Sequence, residues 1–199
     1  MIKKLFIVLI ITGISILTMG CAQKSEDNAP GEYFSEADLL MYNTDKNNVT
    51  SPKEQFEIQL KEFYDFSKKF FSTWNDHIED TAVLLEKFNN DNITLDAKII
   101  YSRMLREKYE RFGDEIKQIT PPPEASKAYE YALNAISKRI LFFKEFEKGT
   151  SIYSLIEIEN KAYFYESLFW EEMDKIYNHF DEISDQLGIS RDNEFYFTI

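Results

Sequence analysis

Residues 116–129 read IKQITPPPEASKAY, and the three consecutive prolines in this stretch decide how the chain is divided. A residue that precedes proline avoids the helical region of backbone conformation, so none of residues 120–122 fits into a helix. Proline itself is tolerated in the first turn of a helix. The stretch therefore predicts that one helix ends near Ile119 and that the next begins near Pro123.

The segment before the prolines, residues 95–119, has the apolar spacing of an amphipathic helix. Its predicted apolar face recurs at steps of three and four and consists of Ile100, Met104, Leu105, Phe112, Ile116 and Ile119. Gly113 interrupts this helix, and a glycine there costs about 1 kcal/mol relative to alanine. We therefore expect either a close approach by a neighbouring helix at Gly113 or a bend in the helix.

The segment after the prolines predicts a third helix that stops at Gly149, because glycine commonly follows the end of a helix. Its apolar face consists of Tyr129, Ala132, Leu133, Ile136, Ile140, Phe143 and Phe146. Thr150 or Ser151 then caps a long fourth helix, which Gly188 closes. The apolar face of this fourth helix consists of Ile152, Leu155, Ala162, Phe169, Met173, Ile176, Phe180, Ile183 and Leu187.

A long first helix precedes these three. In residues 51–54, Ser51 can cap the helix, Pro52 suits its first position and Glu54 can close a capping box. The asparagine-rich residues 89–92 end the helix. Its apolar face consists of Phe56, Leu60, Phe63, Phe70, Trp74, Leu84 and Phe88.

Short connections between successive helices favour antiparallel neighbours. The sequence therefore predicts an all-α fold, an antiparallel up-down four-helix bundle with long first and fourth helices over residues 51–188. The preceding residues 21–50 are rich in Asn, Asp, Ser, Glu and Lys, which predicts a flexible tether. Residues 189–199 form a C-terminal tail outside the bundle.

The N-terminal residues have the pattern of a secretory leader. Lys3 and Lys4 precede an apolar run over residues 5–19, which is shorter than the roughly 20 residues that span a bilayer. This arrangement predicts a signal peptide over residues 1–20.

Residues 17–21, LTMGC, resemble the lipobox of bacterial lipoproteins, in which a small residue precedes a cysteine. Thr18 and Met19 depart from the commoner leucine and small residue at those positions. The resemblance implies that Cys21 receives a diacylglyceryl group and that the leader is cleaved before it. It thus implies a membrane partner through lipid and a place on the extracytoplasmic face of the cell membrane. The alternative is an uncleaved anchor followed by an incidental thiol.

The rest of the chain loosely resembles small helical lipoproteins of Gram-positive bacteria. The resemblance lies in the proline-containing corner at residues 120–124, which opens a helix rich in Tyr and Ala over residues 127–141. It implies the same location and an all-helical fold, and it implies no functional residues.

The charge and cysteine content exclude several classes of partner and site. The chain carries 35 acidic and 23 basic residues and a net charge of -12, so phosphate backbones repel it and we predict no nucleic-acid partner. Cys21 is the only cysteine. An intrachain disulfide, a zinc-thiolate site and a catalytic cysteine in the bundle are therefore excluded.

Several positions on the predicted inward faces are polar: Ser67, His77, Thr81, Arg139, Glu159 and Glu166. Antiparallel pairing of the helices brings His77 and Arg139 to the level between Glu159 and Glu166. Buried carboxylates are costly unless they are paired, so we expect the arginine and the histidine to offset them. The four residues either form an ion-pair network that fixes the register of the helices or hold an ion or small polar ligand.

The sequence contains none of the motifs that indicate catalysis. The inward Glu-x-x-His pattern of di-metal bundles is absent, since Trp74 and Ile176 stand three residues before His77 and His179. We therefore predict no metal, no cofactor and no enzymatic activity. The predicted function is a non-enzymatic interaction or structural module of the cell envelope, with another envelope protein as its candidate partner. The alternative is a lipoprotein that binds a small ligand or ion at the polar cluster; the oligomeric state stays open.

Overall fold

The computed structural model describes residues 51–189, in which the chain forms four α-helices and no strand. These are α1 (Pro52–Asn89), α2 (Leu95–Lys117), α3 (Ser126–Glu147) and α4 (Ile152–Leu187). The prediction of an all-α bundle with long first and fourth helices is confirmed. The predicted signal peptide, Cys21, the tether and residues 190–199 of the tail lie outside the described residues.

The chain divides into two compact units. Of the described residues, the first unit holds residues 51–59, which contain the start of α1. Ser51 Oγ accepts a hydrogen bond from the backbone N–H of Glu54 at 3.2 Å, and a Glu54 carboxylate oxygen accepts one from the N–H of Ser51 at 2.8 Å. The predicted capping box is therefore confirmed. The second unit holds the remaining described residues, 60–189.

Aromatic side chains connect the helices within the second unit. The ring of Phe63 stacks on Phe180 with centroids 4.9 Å apart, and the ring of Phe70 lies 5.3 Å from Phe169. Residue numbers thus rise along α1 as they fall along α4, so these two helices are antiparallel. Trp74 contacts both Phe169 and Phe112, and it joins α1 to α4 and to α2.

Two hydrogen bonds from side chains to the backbone connect α2 and α3. The buried Ser102 hydroxyl donates to the carbonyl oxygen of Phe143 at 3.0 Å, and the Tyr129 hydroxyl donates to the carbonyl oxygen of Ile116 at 2.9 Å. Both bonds join the start of one helix to the end of the other. Helices α2 and α3 are therefore antiparallel as well.

The proline stretch forms the corner that the sequence predicts. Pro122 is extended, with ψ 161°, and residues Pro123–Ala125 form a single 3₁₀ turn that leads into α3. The predicted start near Pro123 is confirmed, with a 3₁₀ turn before the α-helix itself.

The helix ends have the predicted capping residues. Ser151, the second of the two candidates, caps α4 by accepting a hydrogen bond from the N–H of Ser154. Thr94, for which no prediction was made, caps α2. Gly149 and Gly188 both have positive φ, 73° and 61°, just after α3 and α4. Only glycine adopts this conformation without steric cost, so these two residues terminate the helices.

Gly113 lies where α3 approaches α2 closely. A β-carbon added at Gly113 would lie 3.2 Å from Cγ2 of Ile136. The close approach of a neighbouring helix, the first of the two expected explanations, is therefore confirmed, and α2 continues through this position to Lys117.

Three predicted positions on the apolar faces are wrong. Ile100 and Met104 of α2 are 57% and 42% exposed, and Ile152 of α4 is 62% exposed. Successive residues of a helix point about 100° apart, and Leu105 is fully buried, so Met104 lies towards the edge of the buried face. Ile152 is the first residue of α4 and lies at an end of the bundle. Over residues 51–189, no helix is both long enough and apolar enough to cross a membrane.

Candidate functional site

Arg139 on α3 lies between two glutamates of α4. Its Nη1 is 3.5 Å from Glu159 Oε1, and its Nη2 donates to Glu166 Oε2 at 3.3 Å. The guanidinium carbon also lies 4.2 Å from the centroid of the Tyr163 ring, within the range of a cation–π contact. The structure thus brings together three of the four residues of the predicted cluster. We call Arg139, Glu159, Tyr163 and Glu166 the arginine layer.

The electrostatic surroundings of Arg139 keep its guanidinium protonated. Burial by itself would lower the pKa of Arg139, but interactions with Tyr109, Glu166 and Tyr163 outweigh this effect and raise the pKa. The Arg139 side chain is 19% exposed, so its attraction to the two carboxylates is only partly screened by water. The layer is therefore an internally paired network that joins α3 to α4.

Two other inward polar residues, Ser67 and Thr81, are each only 1% exposed, as the spacing predicts. The Thr81 hydroxyl donates to the carbonyl oxygen of His77, four residues earlier, at 2.8 Å. Burial raises the pKa of Tyr177, and the neighbouring Ser67 hydroxyl opposes this rise. Neither Ser67 Oγ nor Tyr177 OH makes a well-formed hydrogen bond within the described part of the chain.

His77 does not join the arginine layer, contrary to the prediction. Its ring stacks on Phe112 at 4.1 Å with an interplanar angle of 4°, and the ring of Tyr109 meets it edge-on at 4.4 Å. Among residues 51–189, His77 forms no ion pair with Glu159 or Glu166, and its buried Nε2 has no hydrogen-bond partner. Tyr109 connects the two regions, because it also interacts electrostatically with Arg139 and Glu166.

The helical repeat explains why His77 turns away from α4. An α-helix drifts by about 20° for every seven residues, so the series Phe63, Phe70 and His77 rotates by about 40° around α1. Phe63 and Phe70 contact α4, whereas His77 contacts α2. The heptad spacing therefore correctly predicts that His77 points towards a neighbouring helix, but it predicts the wrong helix.

His77 is neutral at pH 7. Burial lowers the pKa of its imidazole to about 4; Asp80 opposes this decrease, and Lys108 and Arg111 add to it. A protonated ring at this position would be a partly desolvated cation beside two others.

A groove of about 370 Å³ runs along the contact between α1 and α2. Asp80 joins its two walls, since one carboxylate oxygen accepts hydrogen bonds from Lys108 at 2.8 Å and from Arg111 at 2.9 Å. The hydrogen bond from Lys108 is the main reason why the pKa of Asp80 is lowered. The full lining consists of Asp76, His77, Asp80, Lys108, Arg111, Phe112 and Glu115.

The sequence contains a signal for two of the residues that the prediction missed. Tyr109 lies four residues after Leu105 and three before Phe112, on the buried face of α2. Tyr163 lies four residues after Glu159 and three before Glu166, so it belongs to their face of α4. Each hydroxyl marks a polar atom on an inward face. No feature of the sequence predicts the groove, because charged residues spaced by three and four also occur on ordinary solvent-exposed helix faces.

In the part of the chain that the structure describes, no three carboxylate, histidine or cysteine side chains converge in a group that could hold a metal ion. A scan with protein-family models, a search of curated proteins and a search of solved structures found no significant match to this chain. The functional proposal therefore depends on residues of this chain alone.

Proposed function

We propose that the chain is a lipid-anchored lipoprotein on the extracytoplasmic face of a bacterial membrane. The observation that carries this proposal is the lipobox-like LTMGC at residues 17–21, which follows Lys3, Lys4 and a short apolar run. The two acyl chains of a diacylglyceryl group on Cys21 would give stable anchorage, whereas a single chain would bind only marginally.

We further propose that the helical bundle is a non-enzymatic interaction or structural module of the cell envelope. Fully buried aromatic side chains such as Phe63, Phe70 and Phe169 fill its interior, which supports a structural role for the core. Large apolar side chains are exposed on its outside, at Val83 and Ile100 to 57% each. Such side chains could contact a partner protein directly.

The arginine layer supports this proposal over the ligand-binding alternative. Arg139 already contacts Glu159, Glu166 and Tyr163, so an incoming ligand would have to displace existing ion pairs. A network of this kind stabilises one register of α3 against α4 and needs no ligand.

Metabolic labelling with palmitate in a bacterial host tests the anchorage. We expect the wild-type chain to incorporate label and to fractionate with membranes, and we expect Cys21→Ala to do neither, because the chain has no other cysteine. Met19→Ala is the matched control: it places a small residue within the lipobox and should keep the label. An unlabelled wild-type product that retains residues 1–20 would overturn the proposal, as would label that persists in Cys21→Ala.

Site-specific photocrosslinking in living cells tests the interaction module. A benzophenone side chain placed at the exposed Met104 should give a discrete adduct with an envelope protein. The same probe at the exposed Lys61 is the control for nonspecific capture. Identical adducts at both positions, or none at either, would contradict a specific partner at Met104.

A further inference from the structure

The only two histidines of the chain have opposite environments. His77 is enclosed between α1 and α2, whereas His179 is exposed on α4. The two side chains are thus a natural pair for comparison, because a charge on His77 would be partly desolvated and His179 lies on the surface.

Aromatic rings surround much of the imidazole of His77, and one of its nitrogens is buried. Phe112 covers one face of the ring, and the ring of Tyr109 stands against its edge. Nε2 is buried and, within residues 51–189, makes no hydrogen bond. Phe112 in turn contacts Trp74, so any movement of His77 would be transmitted to a core tryptophan.

The charged groups around His77 do not compensate an imidazolium for the effect of burial. The nearest acidic partner, Asp80, is already bound by Lys108 and Arg111, and these two cations would repel a third. Asp76 and Glu115, the other carboxylates of the groove, are exposed, so water screens their attraction. On the far side of Tyr109, Arg139 and Glu166 belong to the arginine layer and are paired with each other.

We propose that His77 is a proton-sensitive latch: protonation of His77 at mildly acidic pH opens the contact between α1 and α2 and exposes Phe112 and Trp74, while the arginine layer keeps α3 and α4 together. The groove lies beside this contact and interrupts the packing between the two helices, so the contact is a place where they can separate locally. The groove also gives protons access to the side of the ring that faces water.

The pH range in which the latch opens follows from the difference between the pKa of His77 in the closed state and in the open state. Burial lowers the pKa of His77 to about 4 in the closed state, against 6.5 for a free histidine. As the pH falls below 6.5, the open state binds the proton first, so the equilibrium constant for opening rises by about 30-fold between pH 7.5 and pH 5. The latch is a property of the bundle, whereas exposure to external pH in the cell rests on the proposed extracytoplasmic location.

Hydrogen exchange of the purified full chain, measured by mass spectrometry and corrected for the intrinsic effect of pH, tests the latch. Between pH 7.5 and pH 5, peptides from residues 70–84 and 105–116 should open about 30-fold more often. Peptides from residues 132–143 and 158–169 should stay better protected than these at both pH values, because they open only when the whole bundle unfolds. His77→Phe should abolish the increase, because phenylalanine fills the stack and cannot titrate. His179→Gln should leave the increase intact.

Proton titration of the two imidazoles by NMR gives a second measurement that needs no variant. We expect the pKa of His77 to lie well below 6.5, the value of a free histidine. The latch is overturned if His77 titrates at the value of a free histidine, if protection near His77 is the same at both pH values, or if all four helices exchange at the same rate. If His77→Phe does not fold, His77→Gln and the wild-type titration decide the question. The result is independent of palmitate labelling at Cys21, so the two proposals can fail separately.

Discussion

The arginine layer and the surroundings of His77 are two solutions to one problem, a polar side chain at an inward position of a helix. Arg139 keeps its charge and has two carboxylates and an aromatic ring around it. His77 has aromatic rings around it and no hydrogen-bond partner for Nε2 in the described part of the chain, and it stays neutral. Arginine cannot lose its proton in a protein, whereas histidine can.

This difference predicts that the two regions respond to different perturbations. The arginine layer depends on attraction between opposite charges, so it fails when one partner is removed. The contact at His77 depends on the absence of a charge, so it fails when a proton is added. Mutation and pH therefore separate the two regions.

The largest effect is expected from Arg139→Met. This change removes the cation and leaves Glu159 and Glu166 partly buried without a counterion, which should lower the free energy of unfolding by about 3 kcal/mol at pH 7. Urea denaturation followed by circular dichroism measures the loss. A variant that combines Arg139→Met with Glu159→Gln and Glu166→Gln should recover most of it. If the single variant is no less stable than the triple one, the layer does not stabilise the fold through its charges.

The next largest effect concerns the pH dependence of stability. The folded-state pKa of His77, about 4, lies below its unfolded value of 6.5, so the unfolded chain binds the proton first as the pH falls. The stability contributed by neutral His77 is therefore complete above pH 6.5, falls by about 2 kcal/mol at pH 5 and levels off below pH 4. The difference in unfolding free energy between wild type and His77→Phe should follow this curve. A difference that does not vary with pH would show that His77 has the same pKa in the folded and the unfolded state.

The sequence predicts the helix boundaries because they depend on local chemistry. Ser51, Pro52 and Glu54 form the expected cap whatever lies elsewhere in the chain, and the prolines at 121–123 exclude a helix on steric grounds alone. The contact of Arg139 with Glu159 and Glu166 is also predicted, because a short connection between α3 and α4 fixes which residues lie at the same level.

The features that were not predicted depend on how the helices are rotated and placed, which the spacing of residues does not specify. Whether His77 meets α4 or α2 depends on a rotation of about 40° around α1, which is within the width of an apolar stripe. Ile100 and Met104 have apolar side chains and are nevertheless exposed. Whether such a side chain is buried depends on where the neighbouring helices lie, which the spacing does not specify. The groove between α1 and α2 likewise arises from side chains that meet across helices.

A smaller effect is expected at Gly113, where α2 meets α3. Alanine would raise helix propensity by about 1 kcal/mol, but its β-carbon would press on Cγ2 of Ile136 at 3.2 Å, so Gly113→Ala alone should change stability little. Ile136→Leu removes the β-methyl group at nearly constant volume, and in that background Gly113→Ala should approach the full gain. Thermal denaturation of the four chains of this cycle measures the coupling. Equal effects of Gly113→Ala in both backgrounds would mean that Ile136 does not oppose the alanine.

The smallest expected effect, Asp80→Asn, tests which charges set the protonation of His77. Asp80 is the one group among its electrostatic neighbours that favours the imidazolium, while Lys108 and Arg111 oppose it. Asp80→Asn should therefore lower the pKa of His77 further, by less than the shift that burial causes, and NMR titration of the imidazole measures the change. Asp76→Asn, one helical turn away on the same groove wall, is the matched control and should leave the pKa nearly unchanged. A rise in the pKa after Asp80→Asn would mean that loss of the contacts to Lys108 and Arg111 admits water to the ring, so that the packing of α1 against α2 at His77 depends on the Asp80 ion pairs.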